Sequence, residues 1–156
     1  MDLQQLHDRT GIELRKLRYC LDHALVPELH IKPAKDEVGR PRRFGDDVGF
    51  GIVCAAQLLE LGLPHKSIHV FLEGMLRIRI AGKNGDRPAL LAVLEQRVPA
   101  IAQMGDGMNV RIVVPEFGYD SGWISPDNCA GRSDYHPIVI VELDIGQIRD
   151  QVFLPR

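Results

Sequence analysis

The chain has 156 residues, 45% of them hydrophobic and 26% charged, a globular composition that excludes a disordered protein. Its formal net charge is −2, which excludes a polycation. The charge is nevertheless uneven, since residues 9–43 hold nine Lys/Arg against five Asp/Glu, and residues 81–156 hold seven against ten. A basic front on an acidic body predicts one face directed at phosphate while the remaining surface keeps the protein soluble.

The cysteines and the hydropathy pattern predict a cytoplasmic protein. Cys20, Cys54 and Cys129 are odd in number and form no CxxC pair, which favours a reducing compartment with thiols packed as small hydrophobic groups. The N-terminus has no basic-then-apolar signal pattern. No apolar run reaches the roughly 20 residues that a bilayer span needs.

Apolar spacing predicts a short helix over residues 2–8 and a second helix over residues 13–23, separated by a tight turn at Gly11. The buried stripe of the second helix is predicted to be Leu14, Leu17 and Leu21. Its other positions are mostly basic or polar, and a helix fits the major groove of B-DNA, where such side chains reach phosphates and base edges. A solvated surface helix is the alternative interpretation of the same pattern.

A turn at Leu25-Val26-Pro27 is followed by two short apolar runs around a polar tip, which predict a β-hairpin over residues 29–44. Side chains alternate across a strand, so at least one of Arg42 and Arg43 points outward. Arginine at that position suits bidentate phosphate binding and narrow minor grooves.

Two further helices are predicted behind the hairpin. Carboxylates in Gly45-Asp46-Asp47 complement the exposed N–H groups of a strongly apolar core helix over residues 48–61, which Gly62 ends. Pro64 then opens a fourth helix. The buried stripe of the fourth helix is predicted to be Ile68, Phe71, Leu72 and Met75.

The order of these parts over residues 2–76 resembles the DNA-binding domain of the MerR family of transcriptional regulators. The matching residues are Gly11-Ile12, Leu17-Arg18-Tyr19, Leu25-Val26, Arg42-Arg43-Phe44 with Asp47, and Leu61-Gly62-Leu63 before Ile68. The chain departs from the family at Cys20, where a second tyrosine is usual, and at Ala24, where a glycine is usual.

The resemblance implies a winged helix-turn-helix, with helix 13–23 in the major groove and wing 29–44 on the flanking backbone. The DNA contacts that it implies are Arg15, Lys16, Arg18 and Tyr19 from the helix and Arg40, Arg42 and Arg43 from the wing. Members of this family distort the promoter to align its two polymerase-recognition elements, which makes RNA polymerase a further expected partner.

The second half is predicted to be a small α+β module with a two- or three-stranded sheet. Residues 76–80 fit either a short strand or a helix end, and residues 81–87 form a loop. The elements predicted beyond it are a helix over 89–104 that Pro99 kinks or ends, strands over 110–115 and 138–143, a turn and short strand over 119–125, a polar loop over 126–137, and a last helix capped by Asp144. The unbroken β-branched run at 138–143 predicts burial on both faces.

Other candidate sites each have a plainer interpretation. Asp127, Cys129, Asp134 and His136 share one loop, but Cys129-x6-His136 matches no common zinc spacing, so a polar loop is expected. Ser121, Asp134 and His136 have the residue types of a hydrolytic triad, but no nucleophile elbow accompanies them. His65 and His69 are expected to be a surface pair. Tyr119 and Trp123 fit either a ligand pocket or, more readily, the core of the sheet.

The sequence therefore predicts an α+β protein, mainly α in the first half, with a winged helix-turn-helix domain at 1–80 and a small α+β module at 88–156 for dimerisation or for effector or partner binding. We expect a sequence-specific transcriptional regulator rather than an enzyme, with no catalytic residue, metal or cofactor. The expected partners are double-stranded DNA and a second copy, because two half-sites need two protomers, and no membrane. An architectural, excisionase-like DNA protein and a protein-interaction adaptor are the alternatives.

Overall fold

Two short helices, α1 (Leu3–Thr10) and α2 (Leu14–Asp22), open the chain in a computed structural model that describes residues 1–27, 43–81, 87–125, 127, 131 and 134–154. Asp2 begins α1 with a capping box: its Oδ1 accepts from Gln5 N at 2.9 Å, and its own N donates to Gln5 Oε1 at 3.0 Å. Gly11 ends α1 with a φ of 74°, so the predicted left-handed turn is confirmed.

The buried side of α2 differs from the predicted leucine stripe. Leu17 and Cys20 are fully buried, whereas Leu14 and Leu21 are only half-buried. The inward face is therefore rotated away from Leu14 and Leu21, because α2 packs against α1 on one flank and against the third helix on the other.

Helix α3 (Asp46–Glu60) forms the core of the first half, as predicted, and ten of its residues are buried. Asp46 and Asp47 lie in its first turn, where carboxylates stabilise the exposed N–H groups. At Gly51 an added Cβ would lie 2.8 Å from Val26 Cγ1, so glycine is what lets the turn after α2 approach α3 closely.

Helix α4 (His65–Arg77) begins directly after Pro64, and all four residues of its predicted apolar stripe are buried. It is followed by the strand β1 (Arg79–Ile80), so residues 76–80 contain both a helix end and a short strand. Strand β1 pairs antiparallel with β2 (Arg87–Pro88).

A four-stranded antiparallel sheet, rather than the predicted two or three strands, follows the helix α5 (Ala89–Gln96). Its strands are β3 (Ile101–Gly105), β4 (Val110–Val114), β5 (Tyr119–Asp120) and β6 (Ile140–Asp144), in the order β5-β4-β3-β6. A 3₁₀ turn, Pro115–Phe117, joins β4 to β5. One face is buried by side chains at alternating positions: Ala102, Met104, Val110, Ile112, Val114 and Leu143.

The predicted helix over residues 89–104 is wrong in its second half. Helix α5 ends at Gln96, Arg97 has a left-handed φ of 53°, and residues 101–105 form β3. Proline disfavours helical geometry in the residue before it, so Pro99 ends the helix before its own position.

The predicted burial of residues 138–143 on both faces is also wrong. Strand β6 lies at the edge of the sheet, and Ile140 is exposed while Leu143 is buried. The β-branched run identified a strand correctly but carried no information about its place in the sheet. Asp144 does cap the last helix, α6 (Ile145–Phe153), by accepting from Gln147 N at 2.8 Å.

The chain divides into two compact units, Met1–His69 with Ile148–Arg156, and Val70–Gln147. This differs from the predicted division at residues 80–88, because the boundary falls within α4 and the C-terminal residues belong to the first unit. There Arg9 Nη1 donates to the carbonyl oxygen of Val152 at 2.6 Å.

None of the described helices is long and apolar enough to cross a membrane.

The left-handed residues around α2 yield a paired stability prediction. Ala24 has a φ of 49° and is exposed, so Ala24→Gly relieves the roughly 1 kcal/mol that this conformation costs a residue with a Cβ, partly offset by the freedom of glycine in the unfolded chain. A Cβ added at Gly11 would meet no atom within 4 Å, so Gly11→Ala should lower the free energy of unfolding by about 1 kcal/mol through backbone strain alone. Urea unfolding measures both changes, and an unchanged midpoint in Gly11→Ala would contradict the assigned turn.

Candidate nucleic-acid interface

The outward face of α2 carries two arginines. Arg15, Arg18 and Asp22 follow at i, i+3 and i+7, so they lie on one side of the helix, opposite the buried Leu17 and Cys20. Arg15 and Arg18 are exposed, and neither forms an ion pair with any residue that the structure describes. Their guanidinium groups are therefore available to an anion outside this part of the protein.

Lys16 occupies a different flank of α2. Its Nζ donates to Glu60 Oε1 at the C-terminal end of α3, and this hydrogen bond raises the pKa of Lys16. The lysine is about one-third exposed at its side chain, so the ion pair is accessible to solvent and contributes little to stability. The predicted contact from Lys16 would have to compete with Glu60.

Tyr19 lies on the flank that faces α4. Its ring stacks on His23 with centroids 3.8 Å apart, and its hydroxyl is 3.0 Å from His65 Nε2 at the start of α4. The rings of His23 and His65 are also in edge contact, at 5.7 Å. If His65 carries its proton on Nε2, the tyrosine hydroxyl accepts from it and keeps its own proton to donate to a phosphate oxygen.

Met1 and Phe44 connect the end of the predicted wing to the start of α1. The Met1 amino group donates to Phe44 O, and Phe44 N donates to Met1 O, both at 2.9 Å. Arg43, which is exposed, directly precedes this pair. Arg40 and Arg42 lie outside the described residues, so their predicted contacts have no structural account.

A groove of about 420 Å³ separates the N-terminal turn of α1 from α2. Arg18 and Asp22 line it from α2, and Asp2 lines it from the N-cap of α1. Arg43 directly precedes the residue that pairs with Met1, and Asp2, which follows Met1, lines the groove together with Arg18. Lys16 instead is engaged by Glu60 of α3.

The two departures from the MerR pattern have different structural outcomes. Cys20 is completely buried, so the side chain at this position packs inward. Ala24 has a φ of 49°, a left-handed conformation that a glycine would adopt without strain.

The remaining candidate sites mostly serve the fold. The hydroxyl of Ser121 donates to Gly122 O at 2.8 Å and accepts from Ile112 N at 2.9 Å. Trp123 is buried and meets the ring of Tyr135 edge-on at 5.3 Å, which supports the core interpretation. Among the described residues no group of three or more His, Cys, Asp or Glu could hold a metal ion, and Cys129 lies outside them.

Sequence reasoning missed His23, His65 and Lys66 as neighbours of the basic helix. His65 reaches Tyr19 across 46 residues of sequence, and Lys66 is exposed beside it in the first turn of α4. No local pattern reports a contact of that range. In the sequence, only the polar pair His65-Lys66 directly after Pro64 indicated that the start of α4 could extend this surface.

Comparisons with protein-family models, curated proteins and solved structures returned no significant match. The resemblance to the MerR family therefore rests on the residues quoted for it.

The cysteine behind α2 gives a prediction about reactivity and pH. Burial raises the pKa of Cys20 to about 11 and that of Cys54 further, so both thiols should resist iodoacetamide at pH 8 until the chain unfolds. An acid whose pKa is higher in the folded state destabilises that state as pH rises above its unfolded value, about 8.5. Stability should fall from there towards pH 11, and less steeply in Cys20→Ala. Rapid labelling of Cys20 in the native protein would show that α2 does not pack as described.

Proposed function

We propose that the protein is a DNA-binding transcriptional regulator of the MerR-like type, whose α2 enters the major groove. The observation that carries the proposal is the pair of exposed arginines, Arg15 and Arg18, on the face of α2 opposite its buried anchors. Phosphate contacts supply most of the affinity of such an interface, and a few base-edge contacts supply sequence choice.

The surroundings of α2 support this orientation. Tyr19, His23, His65 and Lys66 extend the polar surface from α2 onto the start of α4. Arg43 adds an exposed cation directly before the residue that pairs with Met1. A duplex lying along α2 would have cationic or hydrogen-bonding groups on both sides of the helix, which is the arrangement that a helix-turn-helix with a wing requires.

Three finer features of the proposal come from the MerR resemblance. The segment 29–44 would be the wing on the flanking backbone. Binding would distort the promoter so that RNA polymerase engages it, and two copies would bind two half-sites.

The adaptor alternative has one observation in its favour, the exposed apolar edge at Ile138–Ile140. Failure to shift any duplex at low salt, together with formation of a stable protein complex, would favour it over DNA binding. Selection of bound sequences from a random duplex pool would report specificity and half-site spacing in one experiment.

Removal of either arginine on α2 should weaken binding to a selected duplex. We expect Arg15→Ala and Arg18→Ala each to lower affinity about tenfold and to reduce the slope of log K against log salt by about one. Arg42→Ala should act in the same way if the wing contacts phosphate. The matched control is Arg79→Ala, which removes an exposed arginine from β1 in the other unit. Affinity and salt slope unchanged in both α2 variants would overturn the proposal.

Release of Lys16 from its ion pair should strengthen binding. Glu60→Gln removes the carboxylate that engages Lys16 Nζ, and we expect affinity to rise several-fold with a steeper salt dependence. Glu116→Gln changes the net charge equally at an exposed position in the 3₁₀ turn, so it controls for overall charge. An equal gain in both variants would mean that Lys16 does not contact DNA.

A further inference from the structure

One edge of the four-stranded sheet is unprotected. Strand β6 pairs with β3 on one side, and no described strand pairs with its other side. Its first residue, Ile140, is 46% exposed, and the two residues before the strand, Ile138 and Val139, are 91% and 62% exposed. Exposed β-branched residues at an open edge invite pairing with another strand, and monomeric proteins usually avoid them.

The main chain of β6 is oriented to accept such a strand. Asp106 N donates to Val139 O at 3.2 Å, so the main-chain groups of Val139 point towards β3. Because these groups alternate along a strand, the N–H and C=O groups of Ile140 and Glu142 point away from β3, into the open edge.

The opposite edge of the sheet is less open to pairing with a further strand. On that side β4 pairs with β5, which has only two residues, and with Ile124 through an isolated bridge at Val110. The carboxylate of Asp120 is held by Arg111, whose Nε donates to it at 2.7 Å. Short edge strands and edge charges hinder pairing between sheets. Strand β6 has five residues in unbroken register with β3. Its two carboxylates are engaged within the protein, Glu142 by Gln103 Nε2 and Asp144 by Gln147 N.

We propose that β6 pairs antiparallel with β6 of a second copy, about a two-fold axis at Ile140, and joins the two sheets into one of eight strands. In this arrangement Ile140 faces its own counterpart, and Val139 faces Val141 of the second copy. The exposed parts of Val139 and Ile140 are then covered by side chains of the same chemistry.

The charge on β6 selects this register and this partner. A two-fold axis at Glu142 would place two carboxylates directly opposite each other, and an axis at Val141 would place them diagonally. With the axis at Ile140 they are four residues apart along the strands, about 13 Å. Gln103 Nε2 donates to Glu142 Oε2 at 2.8 Å and holds that carboxylate over β3, away from the edge. In this register Ile138 lies opposite Glu142 of the second copy, whose carboxylate stays engaged by Gln103 of its own β3.

This pairing supplies a surface for the homodimer expected of the proposed regulator, yet it follows from β6 alone. It is therefore tested without DNA, so its failure can be told apart from a failure of the DNA-binding proposal.

The test is the molar mass of the full chain in solution over a wide concentration series. The wild-type chain should dimerise reversibly, and Ile140→Lys should weaken the dimer at least tenfold. Ile138→Glu, at a position 91% exposed, should weaken it without disturbing the fold, because residue 138 lies opposite Glu142 of the second copy in the proposed register. The controls are Leu61→Lys and Leu61→Glu, which introduce the same charges at an exposed position after α3 and should leave the dimer intact. A monomeric wild-type chain, or a dimer that survives substitution at both position 138 and position 140, overturns the proposal.

Amide hydrogen exchange and cross-linking test the register. Exchange at Ile140 N–H should slow as concentration rises, while the amide of Leu143, directed at β3, stays equally protected throughout. In a Cys129→Ser background, Ile140→Cys should form a disulfide between copies under mild oxidation, and Glu142→Cys should not. Cross-linking at position 142 but not at 140 would overturn the assigned axis.

Discussion

The burial of α3 against α2 is the constraint on which the candidate interface depends. Leu17 and Cys20 are completely buried, and α3 presents ten buried residues to the core around them. A helix anchored by two residues one turn apart cannot rotate without exposing them, so its opposite face is fixed. Arg15 and Arg18 occupy that face and form no ion pair within the described residues. The apolar core thus sets the direction in which the charges point.

Neighbouring helices divide the polar side chains of α2 into two groups. Arg15 and Arg18 project outward, whereas Lys16 is engaged by Glu60 of α3 and Tyr19 by His65 of α4. An engaged side chain must exchange one partner for another when it binds phosphate, so its net contribution to affinity is smaller. The same contacts hold these side chains in place before binding, which lowers the ordering entropy that association costs.

In the second unit, the position of a strand in the sheet decides whether its apolar side chains are buried. The run Ile138–Leu143 has the composition of a buried strand, yet β6 lies at the edge with its first residues exposed. Apolar side chains at an edge acquire a role only when the order of the strands is known. In the middle of the sheet they would be core, and at its margin they form a surface that another strand can cover.

The sequence by itself determined the first four helices, the turn at Gly11, the apolar character of α3 and the cap at Asp144, because caps, prolines and apolar periodicity act within a few residues. Only the tertiary structure decided which flank of α2 faces inward, that Glu60 and His65 engage Lys16 and Tyr19, that residues 101–105 are a strand, and that β6 lies at an edge. These features depend on contacts between residues distant in sequence. The strength of such contacts is set by packing and by the place of a strand in its sheet, and neither has a local signature.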